Sequence, residues 1–155
     1  MEPHDLLLKA IELARRNVRA GGGPFGAVIV MDDQIVGEGV NRVTASNDPT
    51  AHAEVVAIRE ACSKLKRFSL AGAQIFTSCE PCPMCLSAIY WSRIDKIWYA
   101  ATRQDAAAVG FDDDFLYREI ALPIADRTIP LQQLAHGEGV AMMQEWFNDP
   151  NRTPY

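Results

Sequence analysis

The chain is expected to fold as an α/β layered domain, on three observations. Runs with the 3.6-residue apolar period of helices alternate with short strand-like runs along most of the sequence. No repeat, low-complexity segment or linker divides the 155 residues. Hydrophobic residues make up 48% and charged residues 23%, so a chain of this length can bury one proper core.

Taken in order, residues 5–20 place Leu6, Leu7, Ala10, Ile11, Leu13, Ala14 and Val18 at helical spacing, and Gly21-Gly22-Gly23-Pro24 ends that helix. Three glycines can cradle a phosphate. Here no strand precedes them and no Gly-Lys-Ser/Thr follows, which makes them a tight turn. Residues 27–31 and 34–40 flank Asp32-Asp33 and read as an antiparallel strand pair. A polar stretch, 41–49, leads into a helix over residues 50–65. Residues 73–78 form a short buried strand, 83–91 a helix, 96–101 a strand and 103–108 a helix. The loop Gly110–Phe115 and a short helical stretch to Glu119 follow, then an extended segment or strand at 129–134. A C-terminal helix at 140–147, whose Met142 and Met143 read as packing residues, precedes a tail from Asp149 to Tyr155. The architecture expected is a three-layer α/β/α sandwich with a five-stranded mixed sheet, formed by a single domain spanning residues 1–155.

The net charge of −5 disfavours a general nucleic-acid binder, which needs Lys and Arg for phosphate contacts. Near the N-terminus Asp5, Lys9, Glu12, Arg15 and Arg16 interrupt every apolar run, so no secretory leader is expected. No run approaches the roughly 18 apolar residues of a membrane helix. Four cysteines in such a chain suggest reduced thiols and metal binding, and the cytoplasm as compartment.

The chemistry gathers in two runs, Thr50-Ala51-His52-Ala53-Glu54 and Glu80-Pro81-Cys82-Pro83-Met84-Cys85. One imidazole and two thiolates can hold a catalytic zinc with one tetrahedral position left for water, whereas a structural site more often fills all four positions. Glu54 then stands where a carboxylate can exchange protons with that water without binding metal. Residues two apart lie nearly opposite each other on an ideal helix. His52 and Glu54 can therefore converge only at a helix start, which Pro49 supports. Cys82 and Cys85 open the next helix, where the helix dipole favours thiolates.

Plainer readings stand beside this one. Cys79 is a third thiol at the same spacing, so a closed Cys₃His structural site is an alternative. Cys62 reads as a small buried hydrophobe, and His4 and His136 as surface residues. Trp91 and Trp98 fit a core role, but Trp91 follows the metal helix closely enough to be a candidate substrate contact.

His-x-Glu followed by Pro-Cys-x-x-Cys is the pattern of zinc nucleobase deaminases, and the chain resembles the cytidine deaminase superfamily. Within it the chain is most similar to the bacterial guanine deaminases, through Thr77–Cys85 with Ala88-Ile89-Tyr90-Trp91, Ala108–Asp113, and the terminal tyrosine. The likeness runs from about Asp5 to Leu134 and resumes at the end. It implies a cytidine deaminase-like fold, His52, Cys82 and Cys85 as ligands of one Zn²⁺ per subunit, and Glu54 as proton shuttle. The position of Cys79 is not a ligand in that family. The likeness further implies Asn41 and Asp113 in holding a purine base and Phe25 in packing on it. A homodimer is implied in which a C-terminal segment, here 136–155, is exchanged and Tyr155 closes the neighbouring site. The expected reaction is hydrolysis of guanine to xanthine and ammonia, with neither membrane nor nucleic acid as partner. Alternatives are a tRNA adenosine deaminase, a deaminase of cytosine or another aminated heterocycle, and a non-catalytic zinc-stabilised binding module.

Overall fold

The computed structural model describes residues 1–155. Its elements are α1 (Pro3–Arg19), β1 (Gly26–Met31), β2 (Gln34–Val40), α2 (Val43–Ser46), α3 (Ala53–Leu65), β3 (Gln74–Cys79), α4 (Pro83–Trp91), β4 (Lys96–Ala101), α5 (Arg103–Ala108), α6 (Asp113–Ala121) and α7 (His136–Asn148). The chain divides into two units, Met1–Tyr117 and Arg118–Tyr155.

In the first unit the strands form one sheet in the order β2-β1-β3-β4. β1 pairs antiparallel with β2 and with β3, and β3 pairs parallel with β4, so the sheet is mixed. The parallel pair requires a crossover, which α4 supplies. Side-chain alternation along β1 sends Val28 to one face and Ala27, Ile29 and Met31 to the other. Val28 and Phe76 pack against Leu6 and Ala10 of α1. On the opposite face Ala53, Ala57 and Ala61 of α3 and Ile89 of α4 close over Ala27, Ile29, Val36 and Ile75. These are the three layers expected.

The sheet has four strands rather than the five expected. Residues 129–134 form no ladder: Pro130 has no N–H to contribute, and Ile129 and Leu134 stand 77% and 88% exposed.

β2 is unusually close to α3. A Cβ on Gly37 would lie 2.4 Å from the Ala57 carbonyl oxygen, and one on Gly39 would lie 2.1 Å from that of Ala53. Glycine on the strand facing alanine on the helix lets the two backbones touch, and this presses the start of α3 onto the end of β2. No helix is long and apolar enough to cross a membrane.

In the second unit α6 ends, a 3₁₀ turn covers Ile124–Asp126, and α7 runs to Asn148. Glu119 accepts hydrogen bonds from the Thr128 backbone and hydroxyl, and Arg127 donates to the Ile120 carbonyl. No residue of 118–155 is buried. Met142 and Met143, expected in packing, are exposed on α7.

Candidate active site

Both metal-motif runs end at a helix start. His52 and Cys82 occupy the N-cap positions of α3 and α4 in extended backbone conformation. N-caps commonly carry Ser, Thr, Asp or Asn to satisfy the first free N–H groups. Neither His52 nor Cys82 does so, and their side chains turn to one another instead. Because His52 stands outside the helical period, it can share a space with Glu54, the second helical residue of α3. Pro83 at the first position of α4 needs no N–H there and fixes the turn that places Cys85 one step further in.

The His52 Nδ1 atom lies 3.5 Å from Cys82 Sγ and 3.4 Å from Cys85 Sγ, and the three ligating atoms fall within 4.8 Å of one another. A tetrahedral zinc with Zn–N and Zn–S bonds of about 2.05 and 2.3 Å requires nitrogen–sulfur separations of about 3.6 Å. The observed distances match to about 0.2 Å, the tolerance of a real site. Donor set and spacing therefore both fit zinc. Cys79 is outside this triangle, with its thiol 3.6 Å from the Thr102 carbonyl oxygen. Burial, then the nearby carboxylates of Asp113, Glu54 and Glu80, push that thiol up to about 12. It stays a thiol, and the closed Cys₃His site is not formed.

The site's electrostatics favour one thiolate, on Cys82, among groups held toward their protonated forms. Cys82 is lowered to about 4, first by the hydrogen bond it receives from Cys85 and further by His52 and the Cys85 backbone N–H. The same sharing pushes Cys85 up. His52 is raised, chiefly by its contact with Cys82. Glu54, 6% exposed, is raised by burial above all. A carboxylate in that setting takes up a proton more readily than one in water, as a shuttle must.

A cavity of about 530 Å³ opens over these groups. His52, Glu54 and Cys82 line its floor, and Phe25, Asn41, Phe111 and Asp113 are among its walls. That size and mixture suit a small planar heterocycle. Phe25 and Phe111 meet edge to face, with ring centroids 4.8 Å apart. Asn41 Oδ1 accepts the Val43 N–H at 3.1 Å, which orients the amide and leaves its Nδ2 as donor. Asp113 begins α6, and its carboxyl is raised, by burial first and then by Cys82.

Three expected site residues thus join the metal motif in one cavity: Phe25, Asn41 and Asp113. Two do not line it. Trp91 ends α4 at 63% exposure, on a separate surface with Tyr90, Leu86 and Arg93, and Arg93 stacks over its ring at 5.8 Å. Trp91 stands two residues past buried Ile89, on nearly the opposite side of the helix, and so points outward despite its closeness in sequence to the metal motif. Tyr155 lies in the second unit, 77% exposed.

The structure adds residues that the motif reading passed over. Phe111 faces Phe25. Glu80, also in the cavity wall, accepts the Arg103 backbone N–H at 3.1 Å and pairs with its guanidinium at 3.8 Å. Arg103 lies 4.3 Å over the ring of Tyr117, whose hydroxyl donates to the Pro81 carbonyl at 2.5 Å, directly before ligand Cys82. An aromatic four residues after Asp113 on a short helix was the available sequence signal for Tyr117.

One imidazole, two thiols and a shielded carboxylate beneath an aromatic-walled cavity define a hydrolytic deaminase site of the zinc type. A family model described as the cytidine and deoxycytidylate deaminase zinc-binding region matches residues 1–101. The guanine deaminase of Bacillus subtilis is 54% identical over 154 residues, covering 98% of this chain and 99% of the relative. Its solved structure superposes with a TM-score of 0.95 at 52% identity, over 100% of this chain and 99% of that one. A tRNA-specific adenosine deaminase of Agrobacterium fabrum is 40% identical over 143 residues, 90% of this chain and 92% of the relative. A solved structure carrying 8-azaguanine has a TM-score of 0.69 at 36% identity, over 72% of this chain and 65% of that one. The chain belongs to the cytidine and deoxycytidylate deaminase family.

Proposed function

We propose that the chain hydrolyses guanine to xanthine and ammonia. The observation that carries this is the convergence of the His52–Cys82–Cys85 triangle and Glu54 with Asn41, Asp113 and Phe25 in one cavity. Likeness to the Bacillus subtilis guanine deaminase over nearly the whole of both chains supports the choice of base.

When bound, zinc, one per chain, supplies the Lewis acidity that lets water ionise near neutral pH. The residues do the rest. Phe25 and Phe111 hold the purine plane, Asn41 Nδ2 donates to a ring acceptor, and the Asp113 carboxyl engages the base's N–H groups. Glu54 takes a proton from the attacking water and delivers it to the ring nitrogen beside the amino-bearing carbon. A second transfer through Glu54 to the exocyclic nitrogen breaks the C–N bond and frees ammonia, leaving a carbonyl in its place.

The working form we propose is a homodimer in which residues 136–155 are exchanged and Tyr155 closes the partner's cavity. The lack of any buried residue in 118–155 supports it, as do Val140, Met142, Met143, Trp146 and Phe147 exposed on α7. A segment this short has no core of its own and gains one by packing on a second copy. Four free cysteines suit a reducing compartment, the cytoplasm.

Ammonia release from zinc-loaded protein, offered guanine, cytosine, cytidine, adenine and tRNA in parallel, tests the reading. Guanine turnover with xanthine formed is expected. Adenosine-to-inosine conversion in tRNA in its place would move the chain to its tRNA-deaminating relatives, and silence throughout would leave a zinc-stabilised binding module. Removing Tyr155 should lower guanine turnover while sedimentation still reports a dimer; unchanged kinetics would exclude Tyr155 from the site.

A further inference from the structure

Asn17 lies in the last turn of α1, and it is not in the cavity lining. Its Nδ2 donates to the Gly23 carbonyl at 2.9 Å and to the Asn41 carbonyl at 2.8 Å. One amide thus spends both its N–H groups tying two cavity walls together: the glycine loop and the chain just past β2. The loop is shaped to receive it. A Cβ on Gly22 would fall 2.5 Å from Asn17 Nδ2 and 2.7 Å from its Cγ, and one on Gly23 would fall 3.0 Å from Asn41 Cγ. Of the three glycines only Gly21 has a left-handed backbone, at φ +90. Gly22 and Gly23 therefore provide space rather than conformational freedom. The Gly22 N–H also returns to the Asn17 carbonyl at 2.8 Å.

We propose that Asn17 is a positioning residue for the base-recognising amide of Asn41, and that Gly22 and Gly23 are glycines so that both asparagines can press against the loop. The proposal rests on the reading of Asn41 as a base contact. Asn41 is 8% exposed and pinned at every backbone group, its N–H to the Phe25 carbonyl at 3.2 Å and its carbonyl to Asn17. Releasing the carbonyl moves the whole residue, and with it the donor aimed at the base.

The test is steady-state kinetics on guanine with zinc-loaded Asn17→Ser, Gly23→Ala, Asn41→Ala and the double variant Asn17→Ser/Asn41→Ala, with thermal unfolding and zinc content measured on each. Asn17→Ser removes both donors. Gly23→Ala leaves Asn17 intact and displaces Asn41 from the other side, so it carries the test if the serine variant folds poorly. Each single variant should lower kcat/KM on the order of tenfold, the value of one misplaced hydrogen bond, mainly through KM and with zinc retained. The double variant should be no worse than Asn41→Ala, because the two residues act through one contact. A merely structural Asn17 would instead multiply the two losses. Normal kinetics in Asn41→Ala would overturn the base-contact reading itself. An impaired Asn41→Ala beside normal Asn17→Ser and Gly23→Ala, or losses that multiply, would overturn the role of Asn17 alone.

Discussion

Gly39→Ala is a single methyl group placed where the fold leaves no room. Its Cβ would stand 2.1 Å from the Ala53 carbonyl oxygen and 2.6 Å from the Ala57 nitrogen, both backbone atoms that no rotamer change can move. A carbon–oxygen contact needs about 3.3 Å, so the start of α3 must retreat from β2 by about 1 Å. His52 and Glu54 ride on that start, while Cys82 and Cys85 ride on α4. The ligand spacing tolerates only about 0.2 Å, and a displacement of about 1 Å at reacting groups can lower turnover on the order of a hundredfold. Overpacking of this kind destabilises by about 1–3 kcal/mol, a fall in Tm of roughly 3–10 °C for a domain of this size. The assay is chelator competition for zinc, guanine turnover, and thermal unfolding of the metal-free protein. Wild-type zinc affinity and turnover in Gly39→Ala would refute the idea that the close approach of β2 sets the metal triangle.

Three other changes probe the remaining parts. Glu54→Gln should keep zinc and lose turnover by a factor on the order of a hundred to ten thousand, since it removes the proton carrier; kinetics near wild type would end its role as shuttle. Cys79→Ser should retain one zinc and normal turnover, because Cys79 stands outside the ligand triangle against the Thr102 carbonyl. Zinc loss in that variant would revive the four-ligand structural site. Tyr117→Phe keeps the ring under Arg103 but removes the hydroxyl that holds the Pro81 carbonyl. Zinc affinity should drop about tenfold, as for other groups that orient metal ligands, and an unchanged dissociation constant would dismiss it.

The sequence by itself placed α1, α3, α4, α5 and the four strands and singled out His52, Cys82, Cys85 and Glu54 as the candidate metal-site residues, but it read the α2 stretch as polar turn and the start of α6 as loop. Apolar period, glycine–proline breaks and Pro83 are local signals, and α4, β4 and α5 fall where they place them. Even the convergence of His52 and Glu54 was legible, because two residues at that spacing can meet only at a helix start. Asn41, Asp113 and Phe25 were reached through family likeness rather than through any local signal, since an amide, an acidic loop and a lone phenylalanine look like solvated or packing residues on their own. The tertiary structure decided what shares a space. The order β2-β1-β3-β4 brings the start of β1 and the end of β2 to the same edge as the starts of α3 and α4, and many sheet orders satisfy the same hydrophobic pattern. It excluded Cys79 from the metal triangle, turned Trp91 away from the cavity, left residues 129–134 outside the sheet, and gave Asn17 two carbonyls to hold. The thiol of Cys79 against the Thr102 carbonyl and the amide of Asn17 against the Asn41 carbonyl depend on atoms more than twenty residues apart in sequence and within about 3–4 Å in space, a relation that one-dimensional periodicity does not encode.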